Sequence, residues 1–124
     1  LALPETLVGE IIDGDLYASP RPALPHANAA SGITTSVRGP FHGCPGGSGP
    51  GGWCILFEPE LHFGRDILVP DLAGWRRERL PQVPDAPFLE LAPDWACEVI
   101  SPSTGSLDRV AKMRLYAREA VGYV

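Results

Sequence analysis

Residues 53–75, WCILFEPELHFGRDILVPDLAGW, decide how the chain is organised. Two apolar runs, 53–61 and 67–75, are separated only by His62-Phe63-Gly64-Arg65-Asp66. A short glycine-containing break between β-prone runs predicts neighbouring strands joined by a turn. Just upstream, residues 43–52 hold six glycines and two prolines, which no helix or central strand tolerates, so a loop feeds the first strand. No Gly-Lys-Ser/Thr follows and the exit is a strand, which excludes a phosphate-binding P-loop. Downstream, residues 76–93 carry four prolines in a polar setting, an irregular excursion before a third apolar strand at 95–101.

Further out, Glu10-Ile11-Ile12 and Leu16-Tyr17-Ala18 flank Asp13-Gly14-Asp15 and read as a hairpin. Residues 23–37 fit a helix that begins near Pro25 and is ended by Gly39-Pro40. Ser101, Ser103, Thr104 and Ser106 supply hydroxyls for an N-cap, and residues 107–120 run without Pro or Gly as a final helix. A hairpin, a helix, three strands and a helix give an α/β class: a mixed sheet flanked by helices in one domain spanning 1–124.

Composition narrows the function classes. A chain of 124 residues has room for one core. Its 44% hydrophobic and 20% charged residues suit a globular protein, without an apolar run long enough for a membrane span or a signal segment, so the expected location is the cytoplasm. Cys44, Cys54 and Cys97 form no CxxC pair and are expected to be reduced. A net charge of −5 argues against tight sequence-independent binding to a phosphate backbone, although metal-binding enzymes concentrate acids in their clefts. The Arg76-Arg77-Glu78-Arg79 cluster is either a solvated loop or a phosphate contact.

The chemistry centres on two acids in apolar surroundings. Asp71 lies within ILVPDLA and Glu98 within WACEVI, where an ionised carboxylate is costly without a partner or a metal. If those strands pair, the carboxylates approach within roughly 5 Å on one face, a setting for a hard cation. The alternative is structural: Asp71 closes a turn and Glu98 pairs with Arg76 or Arg109. His26, His42 and His62 show no zinc spacing, and no triad surrounds the serines.

Val69-Pro70-Asp71, then Cys97-Glu98-Val99-Ile100-Ser101-Pro102-Ser103-Thr104, then Asp108, Lys112 and Tyr116, resemble the Uma family of putative restriction endonucleases. Upstream, Glu10-Ile11-Ile12-Asp13-Gly14, the helix carrying His26, and Glu58-Pro59-Glu60-Leu61 extend the resemblance over nearly the whole chain. It implies a restriction-endonuclease-like PD-(D/E)XK fold and hydrolysis of DNA by in-line attack of a Mg²⁺-bound water, with Mn²⁺ as a substitute. Asp71, Glu98 and the Val99 carbonyl would hold the metal. Glu10 and His26 match positions the family keeps, and an acid from the N-terminal part often completes such a site.

The third position of Glu-X-Lys is here Ile100, and the resemblance places the lysine on the following helix at Lys112, the chain's only lysine. Read by spacing alone, Lys112 is an exposed partner of Asp108 at i, i+4, opposite Val110, Met113 and Ala117. The sequence also looks C-terminally truncated relative to the family, lacking its last strands. The other function it suggests is therefore a non-catalytic remnant whose open sheet edge pairs with another chain or its own copy as a homodimer.

Overall fold

In the computed structural model, residues 7–20, 23–43, 49–100 and 106–124 are described. The chain opens with β1 (Leu7–Ile12) and β2 (Asp15–Pro20), paired antiparallel from Leu7↔Pro20 to Ile12↔Asp15. The two-residue turn between them is Asp13-Gly14 with φ of 52° and 87°, the doubly left-handed turn that matches strand twist and favours Asp-Gly.

Helix α1 (Leu24–Phe41) starts with a proline in its first turn, as expected, but runs through Gly39-Pro40 instead of stopping there. Pro40 falls in the last turn, where its missing N–H forfeits a single bond and its carbonyl is taken by the Gly51 amide at 2.9 Å. The helix ends at His42, whose amide bonds the Arg38 carbonyl at 3.0 Å.

The 53–75 stretch forms one hairpin, but of four strands where two were expected: β3 (Trp53–Phe57), β4 (Leu61–Phe63), β5 (Asp66–Leu68) and β6 (Leu72–Arg76). Its register is constant from Trp53↔Arg76 and Phe57↔Leu72 to Leu61↔Leu68 and Phe63↔Asp66. The turn is confined to Gly64-Arg65, with Gly64 at φ 64°. Pro59 and Pro70 interrupt both arms at the same level, because proline cannot donate to a ladder. At this break the Glu58 amide bonds the Asp71 carbonyl at 2.9 Å, and Glu58 adopts φ 46°. The ribbon thereby leaves one sheet and enters another.

The two sheets are β2-β1-β5-β4 and β3-β6-β7, with β7 (Trp95–Cys97) antiparallel to β6. All strand pairs of both sheets are antiparallel, and parallel pairing occurs as isolated bridges such as Trp95↔Tyr123. β7 is shorter than the expected 95–101, because past Cys97 the backbone bonds side chains: the Val99 amide goes to the Asp71 carboxylate at 2.7 Å. Helix α2 (Ser106–Arg118) follows. Ser101, Ser103 and Thr104, expected to cap it, and Cys44 lie outside the described residues.

The core lies where α2 meets both sheets, built from Ile12, Leu61, Leu68, Trp75, Leu115 and Tyr116. The excursion 77–94 is tied down: Trp75 Nε1 donates to Leu91 O at 2.9 Å, and the His62 and Phe88 rings stack at 3.8 Å. Buried Asp66 accepts from the Asp13 amide at 2.7 Å and from Arg118 at 2.8 Å, binding the first turn, β5 and α2 together. No helix among the described residues is long and apolar enough to cross a membrane.

Candidate active site at the seam of the sheets

Each element delivers one or two side chains to the seam. Glu10 comes from β1 in the four-stranded sheet, Asp71 from the Pro70 break just ahead of β6, and Glu98 with Val99 from the segment just past β7. Lys112 comes from α2 and His26 from the first turn of α1. All of the residues singled out in the sequence for this site are connected by direct contacts.

The Lys112 ammonium lies between two carboxylates, 2.7 Å from Glu10 Oε2 and in close contact with Glu98 Oε2. Glu10 Oε2 also accepts from the Val69 amide at 2.8 Å, next to the proline break. Asp71 and Glu98 brace one another: the Asp71 amide donates to Glu98 Oε1 at 3.3 Å, and the Val99 amide donates to Asp71 Oδ2 at 2.7 Å. These bonds follow from the β6–β7 register, since Leu72↔Cys97 brings Asp71 and Glu98 alongside each other one step further.

His26 Nε2 lies 3.0 Å from the Val99 carbonyl and 3.5 Å from Asp71 Oδ1. Both neighbours are acceptors, which assigns the proton to Nε2. Nδ1 is buried and has no hydrogen-bond partner among the described residues.

Lys112 is not on the exposed face of α2, where its spacing suggests it should be. It is 7% exposed, whereas Val110 and Met113, the expected inner face, are 47% and 46% exposed. The inner face of α2 is instead Lys112, Leu115 and Tyr116, at i, i+3 and i+4. Glu98 pairs with Lys112, not with Arg76 or Arg109. Ile100, in the position of the missing lysine, is exposed.

Tyr116 is a participant that the sequence quoted but gave no role. Its hydroxyl donates to Glu98 Oε2 at 3.4 Å from a fully buried ring. Its position one turn beyond Lys112 was the available signal.

Glu10 and Glu98 share the Lys112 ammonium, with Asp71 beside them, and titration in the seam follows from burial together with these charges. Burial pushes the Glu98 carboxyl up to about 7, with Lys112 opposing and Glu10 and Asp71 adding to the rise. Burial alone would lower Lys112, but Glu98 and Glu10 outweigh it and hold the ammonium above its ordinary range. The Tyr116 hydroxyl is raised by burial and then by Glu98, so it stays a donor. The Cys97 thiol is also raised, by burial and then by Asp71 and Glu98.

No group of three or more His, Cys, Asp or Glu side chains among the described residues is arranged to hold a metal ion. The convergence is of a different kind. Asp71 Oδ1 and the Val99 carbonyl both face a single N–H, and Glu98 is bonded to the same Asp71 backbone. Two carboxylates and a carbonyl are the oxygen donors that a hard divalent cation accepts, so the residues fit such an ion.

The chain matches the family described as putative restriction endonuclease over residues 2–124. A crystal structure of a putative nuclease belonging to DUF820 from Anabaena variabilis ATCC 29413 superposes with a TM-score of 0.70 at 24% identity. The superposition covers 94% of this chain and 64% of that one, so the chain spans a little under two thirds of its structural neighbour. No curated protein matches.

Proposed function

The chain belongs to the Uma2 family, described as putative restriction endonuclease, and on that premise we propose that it is a nuclease that hydrolyses DNA phosphodiester bonds with the help of a divalent cation. The observation that carries this reading is the gathering of Glu10, Asp71, Glu98, Lys112 and His26 at one seam, drawn from both sheets and both helices. A purely structural ion pair would need only Lys112 and one acid.

Asp71, Glu98 and the Val99 carbonyl would hold the cation. Mg²⁺, with Mn²⁺ as a substitute, would neutralise charge on the phosphate and acidify a water there. The remaining roles belong to the chain itself. Lys112 offers three N–H donors, two directed at Glu10 and Glu98, leaving one for the phosphate or the entering water and for the negative charge that develops as the P–O bond breaks. Tyr116 and the Asp71 amide fix the two Glu98 oxygens. His26 steadies the Val99 carbonyl.

The test is nicking of supercoiled plasmid in Mg²⁺ or Mn²⁺ and in EDTA. Cleavage is expected with either metal, none in EDTA, and a loss of at least about 100-fold in Asp71→Ala, the scale of removing a preorganised charge-stabilising group. Equal cleavage by Asp71→Ala, or no cleavage of duplex or single-stranded DNA with either metal, overturns the proposal.

A further inference from the structure

A concave site lies on the three-stranded sheet at the far end of α1. A cavity of about 350 Å³ is lined by Val37, Phe41, Trp53, Ile55, Trp95 and Tyr123, so four of its six walls are aromatic. A glycine, Gly74, sits among three of these lining residues. Ile55, Gly74 and Trp95 stand side by side across β3, β6 and β7. A Cβ on Gly74 would come within 2.9 Å of Ile55 Cδ1, 3.2 Å of Trp95 Cε3 and 3.3 Å of Trp53 Cε3. The missing side chain is what lets the two indoles converge over the sheet.

Three arginines are held against lining residues. The Arg76 guanidinium lies 4.8 Å over the Trp53 ring, Arg77 Nε donates to the Trp53 carbonyl at 3.2 Å, and Arg38 donates to the Ile55 carbonyl at 2.7 Å. None of these three arginines pairs with a carboxylate among the described residues. The carboxylate of Asp94, beside Trp95 in the chain, is occupied by Arg79 at 2.8 Å and the Arg76 amide at 2.8 Å.

We propose that this pocket binds an unpaired base of single-stranded nucleic acid, stacked on Trp53 and Trp95, with Arg38, Arg76 and Arg77 holding the flanking phosphates. Aromatic walls accept the π-face of any base, while positive side chains follow the backbone. Arginine can stack and contact phosphate at once. The volume falls in the range of small-molecule pockets, ample for one base. The helix from His26 to Phe41 spans about 22 Å at the usual rise, so the pocket and the acids stand at its two ends. The choice of nucleic acid as ligand rests on the nuclease reading.

The test is fluorescence anisotropy of a labelled oligothymidylate in EDTA, with plasmid cleavage measured separately. Trp53→Leu is expected to weaken binding at least about tenfold, Trp53→Phe to restore most of it, and Arg76→Gln to flatten its salt dependence. Binding by Trp53→Leu equal to wild type overturns the proposal, as does a Trp53→Phe as weak as Trp53→Leu. If Trp53→Leu fails to fold by circular dichroism, an unchanged salt slope in Arg76→Gln overturns it. A dimer in light scattering that Trp53→Leu dissociates also overturns it, because the pocket is then covered by a second copy. Cleavage without oligonucleotide binding removes this proposal alone; binding without cleavage removes the nuclease reading alone.

Discussion

At the residue scale, the burial of Glu98, opposed by the Lys112 ammonium, governs how the seam responds to pH. Glu98 titrates near 7 when folded and near its ordinary 4.5 when unfolded, so over that interval the folded chain holds a proton that the unfolded chain has released. The stability from that proton is complete below about 4.5 and is lost as the pH rises through about 7, on the order of 3 kcal/mol. Urea melts from pH 4.5 to 8 should show this decline in the metal-free protein, and Glu98→Gln should flatten it. Lys112→Met should destabilise by about 3 kcal/mol at pH 8, since it strands two buried acids, and by less at pH 5, where Glu98 is neutral. Equal losses at the two pH values would count against this charge balance. Asp71 and Glu98 could be read as suspect in the sequence because an acid in an apolar run is costly. Lys112 could not be read from the pattern of α2, whose apolar residues Val110 and Met113 face solvent while the lysine faces inward. Only the family resemblance directed attention to it.

At the scale of elements, the end of α2 shows a local rule broken. The Val121 amide bonds the Tyr116 carbonyl at 2.9 Å and the Ala120 amide bonds the Ala117 carbonyl at 3.1 Å, the paired bonds of a helix-ending motif that usually places glycine where Ala120 stands. Ala120 has φ 60°, a conformation that disfavours a Cβ. Ala120→Gly should therefore raise stability by about 0.5 kcal/mol, strain relief slightly exceeding the added chain entropy, and a thermal melt would register it. By contrast Gly14→Ala, at φ 87° in the first turn, should lower stability by about 1 kcal/mol. The hairpins, both helices and the irregular excursion could be read from periodicity and turn residues. The division of 53–75 into four strands could not, because Pro59 and Pro70 interrupt apolar runs that otherwise look continuous. Nor could the shortened β7, whose ladder ends because carboxylates capture the next amides.

At the scale of the molecule, the seam exists only when distant parts of the chain meet, from Glu10 to Lys112. The sequence conveyed the class of fold but not the allocation of strands to two sheets, since partner choice depends on contacts far apart in the chain. Asp66 illustrates this: it sits unnoticed beside a turn, yet it joins the first hairpin to α2. Asp66→Ala should cost about 1 kcal/mol by removing the acceptor of the Asp13 amide, and it leaves Arg118 without this partner. Because Asp66 touches none of the seam residues, plasmid cleavage at temperatures below the new midpoint should be unaltered. A variant that folds yet cannot cleave would show that the two regions are coupled.

The unbroken register of the 53–76 ribbon has a practical consequence. Its tip, Gly64-Arg65, is exposed and lies in the sheet opposite the one that β6 and β7 form. An epitope or fluorophore-bearing peptide spliced between these two residues would emerge at the surface while the strands behind it stay paired. The chain could then be tethered to a bead or followed in a mixture by a handle at the hairpin tip.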